Sequence, residues 1–116
     1  MIRLTLPWPP STNRIWRHVG SRVLISREGR AYRQSVALCV AQARVQGFGR
    51  RKVRVCVDAF MPDARRRDID NLWKAAGDSL QAARLFDDDS QIVDLHIRTA
   101  GMDREAPRLE VTVEGA

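Results

Sequence analysis

Lys52-Val53-Arg54-Val55-Cys56-Val57-Asp58-Ala59-Phe60 alternates along its length, with Val53, Val55, Val57 and Ala59 on one face. Successive strand side chains point to opposite faces, so this period of two predicts a strand with one buried face. Met61-Pro62 breaks it, because proline cannot donate to a ladder. A charged loop from Asp63 to Ile69 follows, then a helical pattern from about Asn71 to Arg84. Leu72, Ala76, Ser79, Leu80 and Ala83 form its buried stripe, and Asp70 is placed to cap its start.

The same reading extends in both directions. Past the Asp87-Asp88-Asp89 loop, strands are predicted over Ile92 to Thr99 and Arg108 to Val113, the latter with Leu109, Val111 and Val113 inward. Upstream, Ile2, Leu4 and Leu6 alternate with Arg3 and Thr5 in a first strand, which Pro7-Trp8-Pro9-Pro10 ends. Ser11 to Gly20 reads as a polar, basic loop carrying Asn13, Arg14, Trp16, Arg17 and His18, and Arg22 to Ile25 as a short strand. Ser26 is the N-cap of a helix running to about Gln46 and stopping at Gly47, with Tyr32, Val36, Cys39, Val40 and Ala43 on its stripe. The order β-(β)-α-β-α-β-β predicts one α+β domain over residues 1–116, a mixed β-sheet flanked by two main helices.

The 116 residues suit one domain, and a 44% hydrophobic fraction suits one modest core. The formal charge is +6 and the pI about 10.6, which points towards nucleic acid. Only Lys52 and Lys74 are lysines, so 20 − 2 = 18 of the basic residues are arginines, which bond phosphate bidentately. Cys39 and Cys56 read as near-core thiols of a reducing compartment, and without CxxC spacing they do not suggest structural zinc. No apolar run approaches the roughly 18 residues that span a bilayer, and the first residues run straight into a strand pattern, so a soluble cytoplasmic protein is expected.

The chemistry concentrates in Arg65-Arg66-Arg67-Asp68-Ile69-Asp70-Asn71-Leu72-Trp73-Lys74. Carboxylates this close repel one another unless a cation neutralises them, and oxygen ligands suit a hard ion such as magnesium. The adjoining arginines suit phosphate. Asp68 and Asp70 point the same way only if residues 68–70 are extended and the helix begins after them. Lys74, one turn on, can then reach back to them. One or two of Asp87, Asp88 and Asp89 can join if the next strand returns beside that pair, and the residues alone do not choose among the three. The bland alternatives are a surface salt-bridge network, a simple acidic turn, a helix cap and a solvated lysine. An EF-hand fails because Leu72 and Lys74 occupy ligand positions. His18 and His96 are far apart in sequence, and no nucleophilic triad is suggested.

Several stretches together resemble the RusA family of Holliday junction resolvases: Leu6-Pro7-Trp8-Pro9-Pro10-Ser11-Thr12-Asn13-Arg14, Met61-Pro62-Asp63 with Arg65 to Leu72 and Lys74-Ala75-Ala76, Phe86-Asp87-Asp88-Asp89-Ser90-Gln91-Ile92-Val93, and Leu109 to Val113. The resemblance covers nearly the whole chain in order. It implies a small homodimeric endonuclease, often prophage-encoded, that cuts four-way DNA junctions with magnesium in recombination and repair. It also implies that Asp68, Asp70 and Asp89 are catalytic carboxylates and metal ligands, and that Lys74 is a catalytic lysine. Asp89 is chosen because it directly precedes Ser90-Gln91-Ile92-Val93. On this reading Arg14, Arg17, Arg65, Arg66, Arg67 and Lys74 contact DNA, with the arginines gripping phosphates that flank the cut. The rivals are a non-catalytic DNA- or RNA-binding module and a metal nuclease for other branched DNA.

Overall fold

The computed structural model describes the backbone of residues 1–116 and every side chain except those of Thr12 and Asn13, so the expected role of Asn13 in the N-terminal loop lies outside the described residues. Strand β1 (Ile2–Pro7) leads to a short helix α1 (Thr12–Ile15) and a hairpin, β2 (Trp16–Val19) and β3 (Arg22–Ile25). Helix α2 (Arg27–Gln42), strand β4 (Val53–Met61) and helix α3 (Ile69–Ala82) follow. A single tight helical turn (Asp89–Gln91) then opens β5 (Ile92–Met102), and β6 (Arg108–Gly115) closes the chain.

The main sheet has the order β1-β6-β4-β5. β6 pairs antiparallel with β1 and β4, while β4 and β5 are parallel. Parallel neighbours need a crossover, and α3 is that crossover. The sheet is mixed and the domain α+β, as the sequence predicts, but the hairpin forms a second, two-stranded sheet of its own.

Alternation decides which face is covered. Leu4, Leu6, Val53, Val55, Val57, Ala59, Leu109, Val111 and Val113 are all at most 6% exposed and lie under the helices. Tyr32 and Val36 of α2 and Leu72, Ala76 and Leu80 of α3 complete that core. Each fully buried aliphatic side chain contributes about 1.5–3 kcal/mol of transfer free energy. The Tyr32 hydroxyl donates to the Pro7 carbonyl at 2.8 Å, and burial pushes its pKa well up, which keeps the phenol a donor. Arg33 joins the two helices through Asp78 at 2.7 Å. The opposite sheet face carries Arg54, Cys56, Asp58, Asp94, His96, Arg98 and Thr112 and has no helix over it.

Several sequence expectations change. Ser11 to Gly20 is not a loop: it holds α1 and β2, and Gly20 at φ 61° lets the chain turn into β3. The alternation there is interrupted by Arg17 and His18, which hides the strand. α2 ends at Gln42, four residues early, because Arg44 takes the left-handed conformation (φ 52°). Gly47 serves packing and not capping, since a Cβ there would sit 2.5 Å from the Arg84 carbonyl. α3 starts at Ile69, so Asp68 and not Asp70 holds the N-cap position. At its end Arg84 (φ 64°) closes a Schellman motif, with Leu85 N–H donating to the Leu80 carbonyl and Arg84 N–H to that of Gln81. Cys56 is exposed on the open face, opposite in parity to Val55 and Val57, and Cys39 is half-buried; both are free thiols. Among the described residues no helix is long and apolar enough to cross a membrane.

Candidate functional site

The segment between β4 and α3 folds around Asp63. Its carboxylate accepts from the Arg65 amide at 2.9 Å and takes the Arg67 guanidinium at 2.7 and 3.1 Å. Those hydrogen bonds from Arg67 and the Arg65 amide hold the Asp63 carboxyl at about 2, far below the usual carboxylate range. Arg67 is thereby pinned, and it lies over the Trp8 indole, 5.6 Å from the ring centroid. Trp8, Pro9, Pro10, Ser11 and Arg14 face Arg65, Arg66, Arg67, Asp68, Asn71 and Leu72 across a cavity of about 720 Å³. The N-terminal amides of α3 open beside it and add to the pull on an anion.

Asp68 has extended backbone (φ −81°, ψ 120°) and makes no side-chain capping bond. Asp70 sits in the first turn of α3, so the extended-segment condition fails and what brings the two carboxylates together is their shared place at the helix N-terminus, Asp68 at the N-cap and Asp70 two residues on. Both are exposed. Despite three neighbouring arginines, neither side chain takes part in any ion pair among the described residues, because Arg67 is captured by Asp63. The salt-bridge-network alternative therefore fails for this pair. Lys74 is exposed one turn after Asp70 on the same helix face.

Asp89 lies elsewhere. α3 has 14 residues, which makes it about 21 Å long, and the acidic loop follows its far end. β5 then begins beside Val53, at the start of β4, whereas Asp68 follows the end of β4. The strand does not return beside the Asp68–Asp70 segment, and among the described residues no three His, Cys, Asp or Glu side chains gather into one metal-holding group. The structure thus brings Arg14, Arg65, Arg66, Arg67 and Asp68 together, sets Asp70 and Lys74 just outside their cavity, carries Arg17 out on β2, and leaves Asp89 at the opposite end of α3.

Within the acidic run the three aspartates differ. Asp87 faces Arg50 at 4.0 Å. Asp88 caps the tight turn, accepting from the Ser90 amide at 3.1 Å, and that bond lowers its pKa. Asp89 has no capping role; the hydrogen bond it shares with Asp88 raises its carboxyl above the usual value.

Trp8, Asp63 and Gln91 lie in stretches that carry the family resemblance, but their structural parts, stacking on Arg67, holding Arg67 and tying the acidic loop, appear only in the structure. Asp63 and Arg67 have the spacing of a helical ion pair, a signal hidden because they lie in a loop. Gln91 is buried, and its motif marks the place but not the bonds it makes. Its Oε1 accepts from the Asp87 and Asp88 amides at 2.9 and 2.8 Å, and its Nε2 donates to the Gly49 and Arg51 carbonyls at 2.7 Å each.

Hard carboxylate oxygens left without a cationic partner fit a hard divalent ion. Among the described residues of the β4–α3 segment, Asp68 and Asp70 are the carboxylates without an ion pair.

The chain matches the family model described as Endodeoxyribonuclease RusA over residues 7–114. It is 43% identical over 110 residues to the crossover junction endodeoxyribonuclease RusA of Escherichia coli, covering 95% of this chain and 91% of that protein. The Shigella sonnei protein of the same name shows 43% identity over the same shares. The protein of that name from Enterobacteria phage 82 shows 42%, again over 95% and 91% of the two chains.

Two outcomes follow from this geometry. Gln91→Ala removes four part-buried hydrogen bonds, a loss of about 3 kcal/mol; a urea titration will show it, and the Asp88 amide will lose hydrogen-exchange protection. For Asp63 the folded pKa is lowered, so its contribution to stability is complete above the ordinary carboxylate value of about 4 and is lost as pH falls towards about 2. A carboxyl-carbon NMR titration of Asp63 will stay flat through mildly acidic pH, and Arg67→Gln will move its midpoint up towards about 4.

Proposed function

The chain belongs to the RusA family of endodeoxyribonucleases, and from that membership we propose that it is a magnesium-dependent, structure-selective nuclease that resolves Holliday junctions in the cytoplasm, as a homodimer, by paired symmetrical cuts. The observation that carries this reading is the pair of unneutralised carboxylates, Asp68 and Asp70, beside a cavity walled by Arg14, Arg65, Arg66 and Arg67. Carboxylates at a phosphate-binding surface repel the ligand unless a metal bridges them, which disfavours a pure binding module.

Asp68, Asp70 and Asp89 would hold the magnesium, which would supply a lowered pKa for the attacking water and a counter-charge for the reacting phosphate. The arginines fix the backbone on either side of the cut, and the weakly hydrated guanidinium fork suits that task. Lys74, one turn from Asp70, neutralises a phosphate oxygen or orients the water.

The separation of Asp89 from the other two supports a site shared between protomers. β5 is a sheet edge with no strand beyond it, and Val93, Leu95 and Met102 on it are 40–52% exposed. An open apolar edge of this kind pairs readily with another chain. Two β5 strands paired antiparallel across a two-fold axis put the Ile92 end of one beside the Met102 end of the other. Met102 pairs with Met61, the residue that leads into the Asp63–Asp70 segment. Asp89 of the partner subunit is thereby carried towards Asp68 and Asp70. The resulting dimer has two sites related by two-fold symmetry, as symmetrical cutting of a junction demands.

On a synthetic four-way junction, the native chain will make paired symmetrical nicks only with magnesium, and Asp70→Asn will bind while cutting slower by at least about 100-fold, beyond the loss typical of an outer partner of a metal ligand. Binding by the native chain without magnesium-dependent cutting would leave a junction-binding module instead. Mixing Asp70→Asn with Asp89→Asn subunits tests the sharing. A shared site gives each mixed dimer one intact centre and restores single nicks, whereas sites confined to one protomer leave the mixture inactive.

A further inference from the structure

The hairpin of β2 and β3 is unlike the rest of the molecule. Every residue of β2 and β3 is exposed except Ile25, which is half-buried. The hairpin packs chiefly on itself and on α1. The cross-strand register sets Trp16 with Ile25 and His18 with Val23 on one face, and Arg17 with Leu24 and Val19 with Arg22 on the other. Each face therefore carries an apolar side chain in the open: Trp16 and Val23 on one, Val19 and Leu24 on the other. A lone two-stranded hairpin is marginal in water, and apolar side chains on both faces suit insertion between two surfaces more than lying on one.

Its root, by contrast, is fixed to the body. The Ser26 amide donates to the Ile15 carbonyl at 2.7 Å, the Ser26 hydroxyl donates to the Arg14 carbonyl, and the same oxygen caps α2 through the Gly29 amide at 3.0 Å. Arg30 donates to the Ile25 carbonyl at 3.1 Å. Gly29 is buried against the root: a Cβ there would stand 2.8 Å from both the Ile15 carbonyl oxygen and the Ile25 side chain. Only a residue without a side chain lets α2 approach the hairpin this closely. The arm is thus seated firmly and projects freely.

Charge identifies the occupant. From Ser11 to Arg27 there is no Asp or Glu, while Arg14, Arg17, Arg22 and Arg27 are all basic. Arg14 itself lines the arginine-walled cavity, and Trp16 begins the arm two residues later. A second copy of this chain would set Arg17 and Arg22 against their own kind. DNA supplies both complements, phosphates for the arginines and base faces for the apolar side chains.

We propose that the Trp16–Ile25 hairpin is a branch-point wedge, which enters the opening of a four-way junction and unstacks the bases there while Arg17 and Arg22 hold the flanking phosphates. The assignment rests on the junction reading above and adds a specificity element separate from the carboxylates. Apolar wedges of this kind pry base steps apart and are stabilised by the extra surface that the distorted DNA presents.

The test uses the Asp70→Asn chain, which binds without cutting, and a junction bearing 2-aminopurine at the branch point. We expect its fluorescence to rise several-fold on binding. Adding Trp16→Ala and Leu24→Ser should abolish the rise and the preference for the junction over linear duplex, with duplex affinity changed less than about twofold because phosphate contacts dominate it. Gly29→Ala, which alters no hairpin side chain, should reduce the rise as well by displacing the root. Circular dichroism checks the fold of each variant, and the exposed hairpin substitutions keep the test valid if the glycine variant fails to fold. An undiminished rise in the folded hairpin variant overturns the wedge. So does a change in its sedimentation mass, which would make the hairpin an interface between copies. If the Asp70→Asn parent shows no junction preference, the junction reading falls, and the wedge falls with it.

Discussion

Two parallel neighbouring strands can be joined only by a segment that travels back along the whole sheet. In this chain α3 makes that journey between β4 and β5, and most of what is distinctive about the molecule follows. The helix receives its N-terminus where β4 ends and delivers its C-terminus where β4 begins. Acidic residues placed just before and just after it are therefore separated by its full length. A run of carboxylates that looks clustered over about twenty residues of sequence becomes two acidic groups at opposite ends of one protomer. In the proposed dimer that separation becomes useful, because a site assembled from both ends exists only when two copies meet, and two such sites arise together.

The second constraint is electrostatic. Eighteen arginines in a chain with 14 carboxylates will neutralise any acid within reach. Asp68 and Asp70 follow directly after three of them, yet neither takes part in an ion pair among the described residues. Asp63 explains much of this, because its bidentate grip on Arg67 and its bond to the Arg65 amide fold the loop back on itself. Gln91 does corresponding structural work at the other end of α3, where one amide side chain ties the backbone of the acidic loop to Gly49 and Arg51.

How legible the fold was depended on the pattern each element carried. β4, β6 and the core stripe of α3 were plain in sequence because a one-sided burial writes a clean period, as in Val53, Val55 and Val57 or Leu109, Val111 and Val113. The hairpin was not, because both of its faces are wet and no period is imposed on it; Trp16 to Val19 read as loop. Sequence does not choose the cap of α3, because Asp68 and Asp70 are both good caps; in the structure Asp68 holds the N-cap position. Cys56 was read as near-core although its parity with Arg54 and Asp58 already placed it outward. The site residues themselves were legible one by one, in Asp68, Asp70, Lys74 and the arginine run. Their grouping was not, since that depends on strand order, and nothing local in the sequence says that β6 inserts between β1 and β4.

These constraints bear on how a domain of this size can act on a branched substrate. A single protomer has one arginine-walled cavity, half a set of carboxylates and one projecting arm. Pairing two of them doubles the formal charge from +6 to +12 and duplicates both cavity and arm about one axis. A four-way junction has the same two-fold relation between the strands to be cut, so the proposed dimer would address phosphates in pairs and not singly. The division of labour then follows from chemistry. Phosphate contacts are strong, screened by salt and blind to sequence and branching, so they hold any DNA. Discrimination has to come from a part that linear duplex cannot satisfy. The proposed wedge, a hairpin with exposed apolar side chains on both faces and rooted on Gly29, would meet that requirement, because an open branch point offers it two surfaces at once.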